Sequence, residues 1–402
     1  YLKVSFKFRV RKFMKLFKSL LIAPATLGLL APMSATANEL NLAEVSGYSS
    51  SEEVQNISEF YPQELAVTNS RVDGLEARLN EVEAGSFSET TTASFSTDFY
   101  LGAVDAGTAA TNYPIMATYG FQIDLNTSFT GEDSLDISLD GGNSATGTKS
   151  VEEFDGNATE DFLKVDGVSY TFPLGGATVF VADNGDASSL FTTACTYGGP
   201  TNTLDDCGNV NAGPTGGGVA FGTSYDFGNG FSTAFGYQSN SAETAGIMTE
   251  ESKDSYAVNG AYTGSNYGVS LTYSSVEDGV LSTSKEDTYT AINAYYTPDS
   301  ENLPSVSIGY EMGDDASKST LDEISSFFVG LQWDEVGPGS LGVAAGHSST
   351  VEGDEEAYMY EAYYSYAVND GMTITPVVYT QENTTNGVDD TTGFLVKTSF
   401  SF

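Results

Sequence analysis

Tryptophan and histidine each occur once in these 402 residues, and cysteine twice. With His347 as the only histidine there is no Ser-His-Asp set and no histidine-rich metal site. No glycine-rich loop ends in the Gly-Lys-Ser/Thr that cradles a phosphate. Carboxylates are abundant, but no pair stands out as an acid and base, so an enzyme is not expected. Bases are scarce: 15 against 55 acids, for a formal net charge of -40. Seven of those bases precede Ala37, where there is no acid at all. A surface that negative repels nucleic acid and suits a secreted protein in salty water, where ions screen self-repulsion. Long apolar runs are missing after Ala37, so no transmembrane helix is expected there.

What is present in quantity is glycine, 43 residues, and aromatics, 12%, with only 11 prolines. That mixture fits many strands joined by tight turns. Cys195 and Cys207 stand close together and can pair in an oxidising compartment. Metal ligation is the weaker reading, since two thiols without a nearby histidine make an incomplete zinc site. The acid runs 152–155 and 352–356 are open to two readings, as solvated loops or as loops bridged by Ca²⁺ or Mg²⁺; neither has EF-hand spacing. No cofactor is expected otherwise.

Residues 1–37 read as an upstream extension followed by a signal peptide. Lys15 and Lys18 form its charged start, residues 20–30 its apolar core, and Ala35-Thr36-Ala37 its cleavage site. Residues 38–64 are polar and carry little periodic signal. Leu65, Thr68, Val72, Leu75, Leu79 and Val82 then recur at the 3-4 spacing of a coiled coil. In that register Arg71 and Arg78 take g positions and Glu76 and Glu83 take e positions, so Arg71 meets Glu76 and Arg78 meets Glu83 on a parallel copy. A lone amphipathic helix is the other reading of 65–85. Gly74 weakens it by up to ~1 kcal/mol, and three heptads alone are marginal.

From about residue 90 the period changes to two. Phe95 and Phe99 alternate with Ser96 and Asp98; Tyr119, Phe121 and Ile123 with Gly120, Gln122 and Asp124; Tyr360, Ala362 and Tyr364 with Glu361 and Tyr363. The last segment, 391–402, sets Phe394, Val396, Thr398, Phe400 and Phe402 against Leu395, Lys397, Ser399 and Ser401. A sandwich needs its apolar faces to meet; a barrel in lipid needs them outside and a polar interior. Connectors favour the barrel. Short turns such as G-N-G after Phe227 and N-D-G after Val368 alternate with longer, mostly acidic stretches at 141–161, 183–217, 239–254, 313–320 and 381–390. The expectation is an all-β, antiparallel transmembrane β-barrel of about 16 strands over 90–402, preceded by a short periplasmic coiled-coil helix. The longest connector follows roughly the fifth strand.

Several blocks carry a family likeness. The leader from Met14, the start N-E-L-N-L-A-E-V, the coil R-V-D-G-L-E-A-R-L-N-E-V-E-A, the block F-F-V-G-L-Q-W at 327–333 and the ending G-F-L-V-K-T-S-F-S-F resemble the cyanobacterial outer-membrane porins of the Som type, relatives of the OprB-like carbohydrate-selective porins. The resemblance implies a homotrimer in outer-membrane lipid, the coil in the periplasm, and passive passage of ions and small hydrophilic solutes. It also implies that the connector 183–217 folds inward to set the bore. Only about 27 residues separate Ala37 from Leu65, too few for the S-layer-homology domain usual in that family, so peptidoglycan contact is not expected. The connector holds Asp183, Asp186, Asp205 and Asp206 and no base, so sugar selectivity through arginines does not carry over. Alternation places Asp98, Asp124, Asp136, Asp226 and Glu361 in the lumen, with Lys164 and Lys397 as basic exceptions. Acidic rings favour cations, so weak cation preference is expected. His347 is read as a polar rim residue. The competing reading is a non-transporting surface or adhesin barrel whose acidic loops bind partners.

Overall fold

The computed structural model describes residues 91–402 apart from 108–111, 145–148, 215–216, 241, 250, 278–285, 301, 315–322 and 386. The leader, the polar segment 38–64 and the coiled-coil helix at 65–85 lie outside the described residues.

Sixteen strands follow one another: β1 (Thr91–Asp105), β2 (Asn112–Thr127), β3 (Ser134–Gly142), β4 (Lys164–Leu174), β5 (Ala177–Gly185), β6 (Gly218–Asp226), β7 (Phe231–Ser239) and β8 (Asp254–Thr263). They continue as β9 (Tyr267–Glu277), β10 (Glu286–Tyr296), β11 (Ser305–Asp314), β12 (Glu323–Val336), β13 (Gly339–Val351), β14 (Met359–Asn369), β15 (Met372–Gln381) and β16 (Thr391–Ser401). Each pairs antiparallel with its neighbours in sequence, and β1 pairs with β16, so the sheet closes into a barrel with no free edge. Among the described residues no helix is long and apolar enough to cross a membrane, which says nothing of a barrel of strands.

Period two is what makes these residues a barrel. On β8, β9 and β11 buried and exposed positions alternate, and the exposed ones include Tyr256 and Val258, Val269, Leu271 and Tyr273, and Ile308, Tyr310 and Met312. These side chains point away from the lumen, giving the barrel the apolar outer face that a barrel in lipid requires. The seam is closed by aromatics. Phe95 and Phe402 exchange backbone hydrogen bonds of 2.9 and 3.0 Å. Their rings stack at 5.6 Å, and Phe99 meets Phe400 edge-on at 6.0 Å.

Short turns sit at the end of the barrel that holds Phe402, and long connectors at the other end. In the turn after β6, Gly228 and Gly230 both take positive φ, +74° and +88°, a conformation other residues resist. Phe129 lies in the turn after β2, beyond the last paired residue of the strand. There the Asp133 carboxylate accepts from Ser128, Phe129 and Thr130 and ends the ladder at Thr127. Pro376 interrupts an interior ladder. Pairing of β14 with β15 jumps from Tyr363–Val377 to Tyr366–Ile374, the stretch where Pro376 has no N–H to give.

Candidate functional site

The described residues of the 186–217 connector between β5 and β6 do not stand above the barrel; they run along the inner wall. On the way out its backbone N–H groups donate to one wall side chain after another: Ala187 to Gln238 Oε1 on β7 (3.1 Å), Thr192 to Asn259 Oδ1 on β8 (3.1 Å), and Ala194 to Ser270 Oγ on β9 (2.9 Å). Thr196 then donates to Ser307 Oγ on β11 and Gly198 to Gln332 Oε1 on β12, both at 2.9 Å. Alternate residues of an extended chain face the same way, which is why residues 192, 194, 196 and 198 make this ladder. The connector turns near Thr201 and comes back. Asn293 Nδ2 on β10 donates to the Cys207 carbonyl at 2.8 Å, and Ser326 Oγ on β12 to that of Gly208 at 3.0 Å. Cys195 and Cys207 are disulfide-bonded, with Cα atoms 6.5 Å apart, so the bridge ties the outgoing leg to the returning one.

Two buried glutamates clamp the loop. Glu311 on β11 is 0% exposed; it accepts from the Asn211 and Ala212 N–H groups, each at 2.8 Å, and from Asn211 Nδ2 at 2.7 Å. Glu361 on β14 is 4% exposed and accepts from the Tyr197 hydroxyl at 2.6 Å and from Thr201 Oγ1 at 2.5 Å. Burial, followed by the charge of Glu361, pushes the Tyr197 phenol far above its ordinary pKa, so it stays a donor. Inward-facing glycines give the loop its room. A β-carbon at Gly309 would overlap the Cys207 carbonyl oxygen; one at Gly330 would stand 2.6 Å from Phe328 on its own strand and 2.7 Å from Tyr197; one at Gly346 would meet the Phe327 carbonyl oxygen of β12 first, and then Leu204 at 3.1 Å.

A second connector also turns inward. The 3-10 turn Lys149–Phe154 packs against β1, β2 and β16. Phe154 meets Tyr100 with ring centroids 5.4 Å apart. Glu153 reaches the returning loop, accepting from Thr203 Oγ1 at 2.9 Å, while its carbonyl takes the Asn202 N–H at 2.8 Å. Val151, Phe154, Tyr197, Leu204 and Cys207 join Phe328, Met359, Tyr363, Val377, Tyr379 and Leu395 in one apolar cluster inside the barrel. One side of the lumen is therefore filled.

The open side lies beside β2–β5. On β3 and β4 the inward residues are as exposed as the outward ones, in contrast to β8–β11 behind the loop. This wall carries Asp124, Asp136, Asp140 and Asp166. Asp166 lies in the field of Asp140, Asp124 and Asp186, and Asp124 accepts from Ser138 Oγ at 2.6 Å and Gln122 Nε2 at 2.9 Å. A cavity of about 590 Å³ opens there, lined by Asp136, Ser138, Asp166, Ser169, Asn184 and Asp186 among others. On the loop, Asp205 and Asp206 are exposed to the lumen yet ringed by barrel wall. That confinement, and then the charge of Asp206, pushes Asp205 up to about 7. The same confinement, and then Glu311, pushes Asp206 up to about 6.

Three sequence expectations are corrected. Asp183 is not in the connector: it belongs to β5 and pairs with Val168, on the outward face shared with Val181. Glu361 does point inward, but the loop covers it, so it anchors rather than lines the bore. His347 is buried, not a polar rim group; its Nδ1 lies 2.9 Å from the Ser348 carbonyl and its ring edge-on to Tyr358 at 5.1 Å. Asp98 and Lys397 are both on the inner wall and pair at 3.1 Å, with the ammonium 5.9 Å from the Tyr100 ring centre. Asp226 caps its turn, accepting from the Gly228 N–H at 2.8 Å. Among the described residues no group of three His, Cys, Asp or Glu converges as a metal site. The anchors Gln238, Asn259, Ser270, Asn293, Ser307, Glu311, Ser326 and Gln332 were not singled out from the sequence. Their only signal is inward placement of a polar side chain, which a water-filled lumen demands anyway.

No protein-family profile matches the chain. An uncharacterised protein of Nostoc sp. strain PCC 7120, alr4550, is 25% identical over 418 residues, covering 87% of this chain and 72% of that one. Among solved structures, the high-pH form of Pseudomonas putida OprB superposes with a TM-score of 0.59 at 12% identity, over 78% of this chain and 94% of that one. A multiple mutant of the Rh. blastica porin superposes with a TM-score of 0.54 at 11% identity, over 78% of this chain and all (100%) of that one. At such identities the likeness is one of fold. The described part of the chain is a porin-like barrel: sixteen antiparallel strands closed on themselves, with the longest connector laid inside the lumen.

Proposed function

We propose that this protein is an outer-membrane porin, a channel rather than an enzyme, giving passive diffusion to inorganic ions and small hydrophilic solutes with a weak preference for cations. The observation that carries the reading is the arrangement of the bore: the 186–217 loop is anchored to one wall, and the space left open runs past Asp124, Asp136, Asp140, Asp166 and Asp186. Acidic linings concentrate cations and repel anions. Two bases oppose them: Lys397, which Asp98 neutralises, and Lys164, opposite Asp140 in the β3–β4 ladder; the sequence has no arginine after Arg78. Sugar selectivity is not part of the proposal. A homotrimer joined through the 65–85 helix, with the chain's N-terminal part in the periplasm, belongs to the same reading and rests on the register of Arg71–Glu76 and Arg78–Glu83.

Single-channel recording on the refolded chain in planar bilayers, with a salt gradient and ion substitution, tests it. Stepwise conductance and a reversal potential of cation sign are expected. A reversal potential of anion sign overturns the preference. A bilayer that stays silent while the barrel is folded overturns the channel and favours a sealed surface barrel, a reading to which the apolar filling of one lumen side lends support.

A further inference from the structure

β-Bulges re-aim side chains, and two of them stand side by side where β4 and β5 line the bore. In the first, Ser138 pairs with Gly167 and Leu139 with Val165, so Asp166 is an extra residue of β4 with no partner in the ladder. In the second, the pairing of β5 with β6 jumps from Ala182–Ala220 to Gly185–Gly218, which leaves Asn184 in the irregular stretch. Asn184 takes a φ of +56°, a left-handed backbone that few side chains accept, asparagine among them. Its Nδ2 donates to the Asp166 carbonyl. A β-carbon at Gly167 would stand 2.9 Å from the Asn184 carbonyl oxygen, and one at Gly217 2.7 Å from Asn184 Oδ1. One asparagine in an uncommon conformation is wedged between the β4 bulge and the end of the connector, with a glycine on each side to admit it. Backbone of this kind collects at functional sites, where it fixes a neighbouring group.

The group fixed here is a carboxylate that differs from the others on the wall. Asp124 accepts from Gln122 and Ser138, and Asp136 from Asn126 and Ser134, so both have oxygens turned to the wall. Asp140 stands opposite Lys164, and Asp98 is paired with Lys397. Among the described residues no donor reaches the Asp166 carboxylate. Asp166 is exposed, lines the cavity together with Asp136 and Asp186, and lies in the field of Asp140, Asp124 and Asp186. Oxygens without a donor are left for a passing cation, and the like charges around them raise the local cation concentration.

We propose that Asp166 is the wall residue that selects cations in the bore, and that Asn184 is the residue that positions it, an inference that rests on the cation-preferring channel proposed above. Asp166 meets the permeating ion directly; Asp124 and Asp136 act on it from a distance, through charge alone. Asn184 acts through Asp166: its amide holds the bulge carbonyl, and the bulge turns the carboxylate into the open side of the lumen.

Planar-bilayer recording on the refolded full chain, in a potassium chloride gradient, tests both roles through the cation-to-anion permeability ratio. A carboxylate within about 4 Å of a monovalent cation in water favours it about fivefold. Asp166→Asn should lower the ratio by up to that factor, and Asp166→Glu, which keeps the charge, should retain most of it. Asp124→Asn and Asp136→Asn should each lower it less. Asn184→Gly keeps every charge and accepts the left-handed φ, yet removes the amide bond to the bulge. It should lower the ratio part of the way while stepwise conductance persists. A ratio in Asp166→Asn no lower than in Asp124→Asn overturns Asp166 as the selecting residue. An unchanged ratio in Asn184→Gly overturns the positioning role. A wild-type ratio below unity overturns the reading of the bore on which both roles rest.

Discussion

Gly309→Ala is the sharpest probe of the docked loop. The added methyl would overlap the Cys207 carbonyl oxygen, and would stand 2.7 Å from Asn293 Nδ2 and 3.0 Å from the Cys207 carbonyl carbon. The wall cannot yield, because Gly309 is paired to Asn293 on one side and Phe328 on the other within a closed barrel. The loop must retreat, by more than about 1 Å to recover van der Waals distance. That breaks the 2.8 Å bond from Asn293 to Cys207. Overpacking typically costs about 1–3 kcal/mol and a buried polar group left unpaired about 1–3 kcal/mol. A combined loss near 3 kcal/mol raises the undocked population roughly a hundredfold. Cys207 already holds a positive φ of 54° just before Gly208 at +75°, so the turn has little freedom to relax. Gly260→Ala is the control, since nothing lies within 4 Å of its β-carbon position. Gly309→Ala should give faster hydrogen exchange over 204–212 and noisier open-channel current, with unchanged barrel melting in detergent. Equal loop exchange in Gly309→Ala and Gly260→Ala would refute the steric account of docking.

Other consequences are independent of that glycine. Replacing both cysteines by serine removes a 12-residue cross-link; the loop-closure estimate is about 3 kcal/mol, to be read as faster exchange of 195–207 with the barrel intact. Tyr197→Phe deletes the 2.6 Å bond to buried Glu361; losing a hydrogen bond to a charged group costs about 1.5–3 kcal/mol, and exchange over 196–202 should rise while β-sheet circular dichroism stays the same. Cation preference should fall between pH 8 and 5, because Asp205 and Asp206 lose charge through about 7 and about 6, above the range of free carboxylates. Linkage gives loop docking the opposite sense: raised carboxyl pKa values favour the docked loop at low pH, and that contribution is lost as pH rises through about 6 and about 7. Reversal potentials and loop protection against exchange measured over the same pH series should therefore move in opposing directions, and a flat reversal potential would remove these two aspartates from the bore.

The barrel was legible because period two is a strong code when it recurs. Phe394, Val396, Phe400 and Phe402 specify an outward face wherever the chain puts them, and a register slip would turn all of them into the lumen. The connectors were legible by length, and the longest does follow β5. The inner wall was not, for a physical reason. A polar side chain pointing inward satisfies a water-filled bore and a docked loop equally well, so Gln238, Asn259 and Ser307 carry no mark separating them from Asp124 or Asp136. Glu361 shows the limit: alternation gives its direction correctly, yet exposure depends on Tyr197 and Thr201, which lie 164 and 160 residues away in the chain. Asp183 fails differently, because an acid at a strand end is taken for loop when its pairing with Val168 is unknown. Inward glycine was the unused signal. A lumen that needs only water has no reason to remove side chains, whereas one that receives a backbone does. Gly309, Gly330 and Gly346 fall on inward positions of three consecutive strands, β11 to β13, and each lies beneath a loop residue: Cys207, Tyr197 and Leu204. Inward glycines on adjacent strands, together with inward amide and hydroxyl side chains flanking them, mark the track of a docked connector. On β2 and β3 the paired inward glycines Gly120 and Gly142 lie against Asn157 of the 143–163 connector, and the bore is found further along those strands, where Asp124 and Asp136 occupy the inward positions instead.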